Sequence, residues 1–242
     1  MMTIMATGIV ACDDESEKPQ SITTEEAATI MATSVASNSY GVMSVLNQSA
    51  EVTADASGSA GGKVQATCGV LQNVSLSGSS PIDAVIKFSY DFSYKFQLDC
   101  DDQEMPTAMN VNLSYSSSFD GPNLTSELTG NGELLVAGLG NDQESFLVDG
   151  YFKRSGSIDT KGEEPKSISG TIEITIVDVS INKETHEIMD GILTVDINGT
   201  VEGKGDFKYA GVVTFDGTST ANLRLGNANF DLSLTTGVLS QK

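Results

Sequence analysis

Few residues of this chain have the type and spacing that catalysis requires. His186 is the only histidine among 242 residues, so any mechanism that pairs a serine or cysteine with an imidazole base depends on it. It lies in a polar segment between two predicted strands, and no Gly-x-Ser-x-Gly motif surrounds a serine. These features favour a protein that is not an enzyme and that needs no cofactor.

Carboxylates are the other groups that could do chemistry, because the chain has 33 acidic residues. Two of them could serve a hydrolase if they faced one cleft about 5–10 Å apart, but neighbouring residues on a strand point to opposite faces. One acidic segment could bind Ca²⁺, yet it lacks the EF-hand spacing, so we expect a solvated loop and no metal site. The candidate ligands in that segment are Asp99, Asp101, Asp102 and Glu104.

Cys12 ends a short apolar run and precedes a strongly acidic one. The segment Ile9-Val10-Ala11-Cys12, followed by the acidic run over residues 13–17, resembles the lipobox of bacterial lipoproteins. In that family the cysteine is lipidated and becomes the first residue of the mature protein. The acidic run resembles the export tether of Bacteroidota surface lipoproteins. The resemblance implies a lipid anchor on Cys12 at the outer membrane, on its periplasmic or cell-surface side.

The first residues correspond to part of a signal peptide. Residues 1–11 carry no charged side chain, whereas a complete signal peptide has a basic start and a longer apolar core. An ordinary N-terminus is the alternative interpretation. We predict a partial signal peptide over residues 1–11, an acidic tether over residues 12–22 and a single domain over residues 23–242.

The lipobox resemblance also accounts for the odd number of cysteines. With Cys12 assigned to a lipid, Cys68 and Cys100 remain, and a disulfide is expected between them only in an oxidising compartment. This bridge would close a loop of about 30 residues and stabilise the fold by about 3–4 kcal/mol. Two independent buried thiols are the alternative.

The formal net charge of −20 restricts the possible partners. Nucleic acids and anionic lipid surfaces are disfavoured, because binding them requires clustered lysine and arginine side chains. No apolar stretch approaches the length of about 20 residues that a transmembrane helix needs. We therefore expect membrane contact through the lipid anchor, a monomeric protein, and a small-molecule or glycan ligand.

The clearest helical signal lies near the N-terminus. Thr23 and Glu26 have the spacing of a capping box, and apolar residues then recur at helical intervals as far as Leu46. We predict a helix from about residue 24 to about residue 48, with a possible break over residues 38–41. A flexible joint is predicted over residues 54–63.

A long one-sided strand is predicted between Ile86 and Asp99, where apolar and polar side chains alternate. Core packing is the favoured interpretation of its apolar face, and an aromatic ligand-binding surface is the alternative. The aromatic residues on this face are Phe88, Tyr90, Phe92, Tyr94 and Phe96.

The rest of the chain repeats this alternation. Turn signals such as Asp190-Gly191 and Asp216-Gly217 separate strands at intervals of about 10–15 residues, which is typical of an antiparallel meander. Residues 101–165 are rich in Ser, Gly and Asn, so short strands and long loops are predicted there. The expected fold is mainly β: an antiparallel meander forming a curved half-barrel or a β-sandwich, with one N-terminal α-helix packed on the sheet.

These features lead to a functional hypothesis. We expect a non-enzymatic, lipid-anchored envelope or cell-surface protein that binds or carries an apolar or glycan ligand. The half-barrel form resembles periplasmic lipid or lipoprotein carriers in architecture alone, and such a carrier needs an apolar cavity of about 300–1,000 Å³. A surface adhesion or glycan-binding module and a carboxylate-dependent hydrolase are the alternatives.

Overall fold

The computed structural model describes residues 21–57 and 66–241. Cys12, the predicted signal peptide and most of the predicted tether lie outside these residues. Two helices come first, α1 (Thr24–Val35) and α2 (Val42–Ser57), with a 3₁₀ turn (Ser37–Ser39) between them. The strands that follow are β1 (Gln72–Ser79), β2 (Lys87–Cys100), β3 (Pro106–Asp120), β4 (Leu124–Ala137), β5 (Ser145–Thr160), β6 (Ser167–Asn182), β7 (Ile188–Val201), β8 (Gly205–Phe215), β9 (Thr220–Leu225), β10 (Ala228–Ser233) and β11 (Leu239–Gln241).

The strands form one antiparallel sheet of eleven strands, ordered from β1 to β11 as in the sequence. This confirms the predicted antiparallel meander, and because all strands belong to one sheet, the sandwich alternative is wrong. Laid flat, eleven strands would span about 48 Å at about 4.8 Å per strand. One continuous core nevertheless joins both helices to strands from β2 to β10. The sheet therefore curves around the helices, which lie against its inner face.

The helical region matches the prediction at its start and at its break. The Thr23 hydroxyl accepts a hydrogen bond from the backbone of Glu26, whose carboxylate accepts one from the backbone of Thr23, so the capping box is present. The chain breaks between α1 and α2, and α2 continues to Ser57. The predicted joint is therefore wrong over residues 54–57, because Ala54 and Ala56 are buried in the core.

The turn between the helices depends on close backbone contact. A Cβ atom on Gly41 would lie 2.4 Å from the carbonyl oxygen of Ser34, so only glycine fits there. Tyr40 adopts the left-handed conformation, with φ of 52°. The backbone N–H of Ser37 donates to the carbonyl of Leu234, at 3.0 Å. The last of these contacts holds the turn against the segment between β10 and β11.

The middle of the chain differs from the prediction. Residues 101–165 contain β3, β4 and β5, which are 15, 14 and 16 residues long, instead of short strands and long loops. Serine, glycine and asparagine have low strand propensity, but here they lie largely on the solvated face or where strands approach closely. Cross-strand pairing and the buried alternate positions override that propensity.

A disulfide joins Cys68 to Cys100, with their Cα atoms 5.9 Å apart. The predicted bridge is thus confirmed. It ties the segment before β1 to the last residue of β2, across a sequence separation of 32 residues. The packed core also begins earlier than the predicted domain, since Ile22 is 3% exposed and its carbonyl accepts a hydrogen bond from the Tyr209 hydroxyl.

Candidate functional site

The helices cover the inner face of the sheet unevenly. Helix α1 packs over β7–β9 and β11, whereas α2 packs over β4 and β5. At the start of β2 and the end of β3 the inner-face side chains are only half-buried. We call the residues there the aromatic corner: Tyr40 from the turn between the helices, Phe88 and Tyr90 from β2, and Phe119 from β3.

Three rings of the aromatic corner are in direct contact, those of Tyr40, Phe88 and Tyr90. Tyr40 stacks on Tyr90 with ring centroids 3.9 Å apart, and its ring lies 4.6 Å from that of Phe88. Phe119 is the cross-strand partner of Phe88. Burial of the Tyr40 hydroxyl, together with a hydrogen bond to Tyr90, raises the pKa of Tyr40 to about 12. The corner is therefore an apolar surface with a few hydroxyl groups, partly open to solvent.

A chain of aromatic contacts leads from this corner into the core. Tyr90 lies 5.6 Å from Phe92, and Phe92 lies 4.6 Å from Tyr115 on β3. The Tyr115 hydroxyl donates to the backbone carbonyl of Tyr40, at 3.2 Å, and contacts the Ser117 hydroxyl. The buried interior and the half-exposed corner are thus connected by both rings and hydrogen bonds.

The other aromatic residues of β2 are core residues. Phe92, Tyr94 and Phe96 are at most 2% exposed, so the ligand-binding interpretation is wrong for these three. The Tyr94 hydroxyl donates to the Gln48 side chain on α2, at 2.9 Å, and burial raises the pKa of Tyr94. Of the predicted surface, Phe88 and Tyr90 remain accessible, and the structure adds Tyr40 and Phe119, which lie on other elements.

Two of the four candidate calcium ligands, Asp99 and Asp101, use their carboxylates in hydrogen bonds within the protein. The Asp101 carboxylate accepts hydrogen bonds from the backbones of Gln103 and Met105, both at 2.9 Å, and so shapes the turn between β2 and β3. The Asp99 carboxylate accepts from the Asn110 amide, at 2.6 Å. Asp102 and Glu104 are exposed in the same turn. Within residues 21–57 and 66–241 no group of three or more His, Cys, Asp or Glu residues could hold a metal ion.

His186 lies in the turn between β6 and β7, at the end of the sheet opposite the aromatic corner. It borders a groove of about 840 Å³ that is also lined by Phe146 and Lys183. The Lys183 ammonium donates to the carbonyl of Gly140, at 2.6 Å, and lies 5.3 Å from the centre of the Phe146 ring. Partial burial lowers the pKa of Lys183. Among the described residues that line this groove with His186 there is no serine, threonine or cysteine.

The outer face carries the acidic residues that a hydrolase would need. Asp120, Glu127 and Asp159 line a shallow groove of about 440 Å³. Asp120 is paired with Lys161, and this contact lowers the pKa of Asp120. A general acid requires the opposite shift, because it must keep its proton near neutral pH. Asp120 is therefore unsuited to the role of general acid.

The comparisons with known proteins give no relative to reason from. No protein-family model matches the chain, and neither the curated proteins nor the solved structures contain a match. Within the described residues, neither helix has the length and apolar character needed to cross a membrane.

Proposed function

We propose that this protein is a non-enzymatic, lipid-anchored envelope protein that binds an apolar or amphiphilic ligand at the aromatic corner. The observation that carries this proposal is the uneven cover of the inner face. The rings of Tyr40, Phe88 and Tyr90 lie in contact with one another, Phe119 is the cross-strand partner of Phe88, and all four residues are half-open to solvent next to a closed core.

Such a surface has the composition of a ligand site. Aromatic side chains each bury about 150–250 Å² when covered, and ligand sites combine a mostly apolar lining with few polar groups. Val74 and Leu76 on β1 extend the apolar surface beyond the rings and are half-buried as well. A ligand on this surface would cover the part of the inner face that α1 and α2 leave half-exposed.

A neutral fluorescent probe, N-phenyl-1-naphthylamine, tests this proposal. We expect saturable binding to the wild-type protein and about tenfold weaker binding to the double variant Phe88→Ser, Tyr90→Ser, because about 1.4 kcal/mol of contact is lost. Leu147→Ser is the matched control, since Leu147 is 45% exposed on the outer face. Absence of binding to the wild type, or equal loss in the control, would contradict the proposal.

The proposed anchor rests on Cys12 and is supported by the disulfide. A Cys68–Cys100 bridge is expected to persist in an oxidising compartment, which the lipobox resemblance implies. Growth of expressing bacteria with an alkyne-bearing fatty acid would label the wild-type protein and leave Cys12→Ala unlabelled. Equal labelling of both proteins, or labelling of neither, would refute an anchor on Cys12.

A glycan-binding or adhesion module is the second candidate, favoured by the outer face of β1–β5. Two neighbouring grooves there, of about 400 and 490 Å³, are lined mainly by serine hydroxyls together with Asp91 and Glu127. Hydroxyl and carboxylate groups can bond to the hydroxyls of sugars. A glycan array should give signals that Ser116→Val weakens. An array without signals would leave the aromatic corner as the remaining candidate site.

A further inference from the structure

Arg154 is the only charged side chain among the buried residues that the structure describes. It lies on the inner face of β5, between Phe152 and Gly156, and is 2% exposed. A guanidinium group keeps its positive charge at any pH a protein tolerates. The core of an otherwise strongly acidic protein therefore contains one fixed cation.

The partners of Arg154 do not neutralise this charge. Its Nη1 donates to the Tyr115 hydroxyl at a long 3.4 Å, and its guanidinium carbon lies 5.5 Å from the centre of the Phe152 ring. Its Nε has no hydrogen-bond partner. No ion pair within residues 21–57 and 66–241 includes Arg154. By contrast, Lys166, whose side chain is 8% exposed, is paired with Glu26.

The register of the sheet connects Arg154 to the aromatic corner. Tyr115, Gly130 and Arg154 are successive cross-strand partners on β3, β4 and β5. Because Gly130 has no side chain, the arginine can extend across β4 to the Tyr115 hydroxyl. That hydroxyl also contacts the backbone carbonyl of Tyr40. A single phenol thus joins the buried cation to the half-open aromatic surface.

We propose that Arg154 binds the anionic head group of the ligand, so that the ligand is an amphiphile with one carboxylate and an apolar chain. This inference rests on the proposed function of the aromatic corner and specifies its ligand. A carboxylate accepts two parallel hydrogen bonds from a guanidinium and supplies the missing counter-charge. The apolar chain then lies against Tyr40, Phe88 and Tyr90, to which Arg154 is joined through the Tyr115 hydroxyl.

An unpaired buried cation has a second, measurable consequence. Without a ligand it destabilises the fold, because desolvation of the charge is not compensated. Replacing Arg154 by methionine should therefore raise the Tm of the ligand-free protein, by about 3 °C or more for a domain of this size. A purely structural arginine would give the opposite sign, since its removal would lower Tm.

The experiment compares dansylundecanoic acid with its uncharged primary amide on the full chain. The wild type should bind the acid at least about tenfold more tightly than the amide. Arg154→Met should lose this preference while still binding the amide, and Arg154→Lys should keep part of it, because lysine retains the charge without the planar fork. Lys153→Met is the matched control, since Lys153 is the next residue along β5 and pairs with Glu173 on the outer face.

The outcomes separate the inference from the proposed function. Equal binding of acid and amide by the wild type, or an unchanged preference in Arg154→Met, would overturn the role of Arg154 and leave the aromatic corner standing. Binding of neither probe would overturn both. Excess inorganic phosphate is added as a competitor, and displacement of the acid by phosphate alone would show a site for small anions instead of an amphiphile. If Arg154→Met fails to fold, as judged by circular dichroism, the destabilised-cation argument is wrong.

Discussion

The two halves of β2 have the same sequence pattern and opposite roles. In the second half, Tyr94 and Phe96 are at most 1% exposed. In the first half, Phe88 and Tyr90 are half-buried, and the ring of Tyr40 lies against both. The difference comes from the position of α2, whose Gln48 accepts the Tyr94 hydrogen bond. One strand therefore supplies both the core and the candidate binding surface.

The largest expected effect comes from truncating one ring in each half of β2. Phe96→Ala should destabilise the fold by about 3–5 kcal/mol, because a fully buried ring leaves a cavity. Phe88→Ala should cost about 1–2 kcal/mol, since part of that ring is already in water. Urea denaturation followed by circular dichroism measures both values. Similar losses for the two variants would mean that the corner is as closed as the core.

Reduction of the disulfide should act on the covered half of β2. Cys68–Cys100 holds the last residue of that strand, and its loss should remove about 3–4 kcal/mol from the free energy of unfolding. The double variant Cys68→Ser, Cys100→Ser, compared with wild type in the same urea titration, gives the value. At urea concentrations below its unfolding transition, this variant should still bind the neutral probe at the aromatic corner. Loss of that binding in the folded variant would argue that the halves are coupled.

More of the fold than of the candidate site could be predicted from the sequence. Alternation over residues 86–99 and the turn signals specify an antiparallel meander, and Thr23 with Glu26 specifies the start of α1. These signals are local. The division of β2 into core and corner is not local, because it depends on where α2 lies after the turn at Gly41.

The burial of Arg154 has a local signal in the sequence. Arg154 falls on the same alternate positions as Phe152 and Ile158, so a strand through this region must bury it. The abundance of serine and glycine over residues 101–165 instead favours short strands and long loops there. Its relation to Tyr115 could not be predicted, because it requires the register of β3, β4 and β5.

A smaller effect distinguishes the hydroxyl groups of the two halves. Tyr94→Phe should destabilise the fold by about 1 kcal/mol, because the Gln48 oxygen loses its buried partner. Tyr90→Phe should change the stability by less than about 0.5 kcal/mol, since Tyr90 is half-exposed and water can replace its hydrogen bond with Tyr40. Denaturation curves of the two variants, recorded side by side, give the comparison. A larger loss of stability in Tyr90→Phe than in Tyr94→Phe would mean that the more important hydroxyl hydrogen bond lies at the aromatic corner.

The last prediction concerns the titration of Tyr40, which affects stability only in alkaline solution. Its pKa is raised to about 12, chiefly by burial, so the folded protein favours the neutral phenol. The stabilising contribution is complete below pH 10, the ordinary tyrosine value, and is lost as the pH rises through about 12. Absorbance at 295 nm should show a group that titrates near pH 12 in the wild type and is missing in Tyr40→Phe.

Saturation with an apolar ligand should move this titration of Tyr40 to still higher pH, because the ligand excludes water from the aromatic corner. A titration of Tyr40 near pH 10 would mean that its ring is solvated, and the distinction between a half-closed corner and an open surface would then fail.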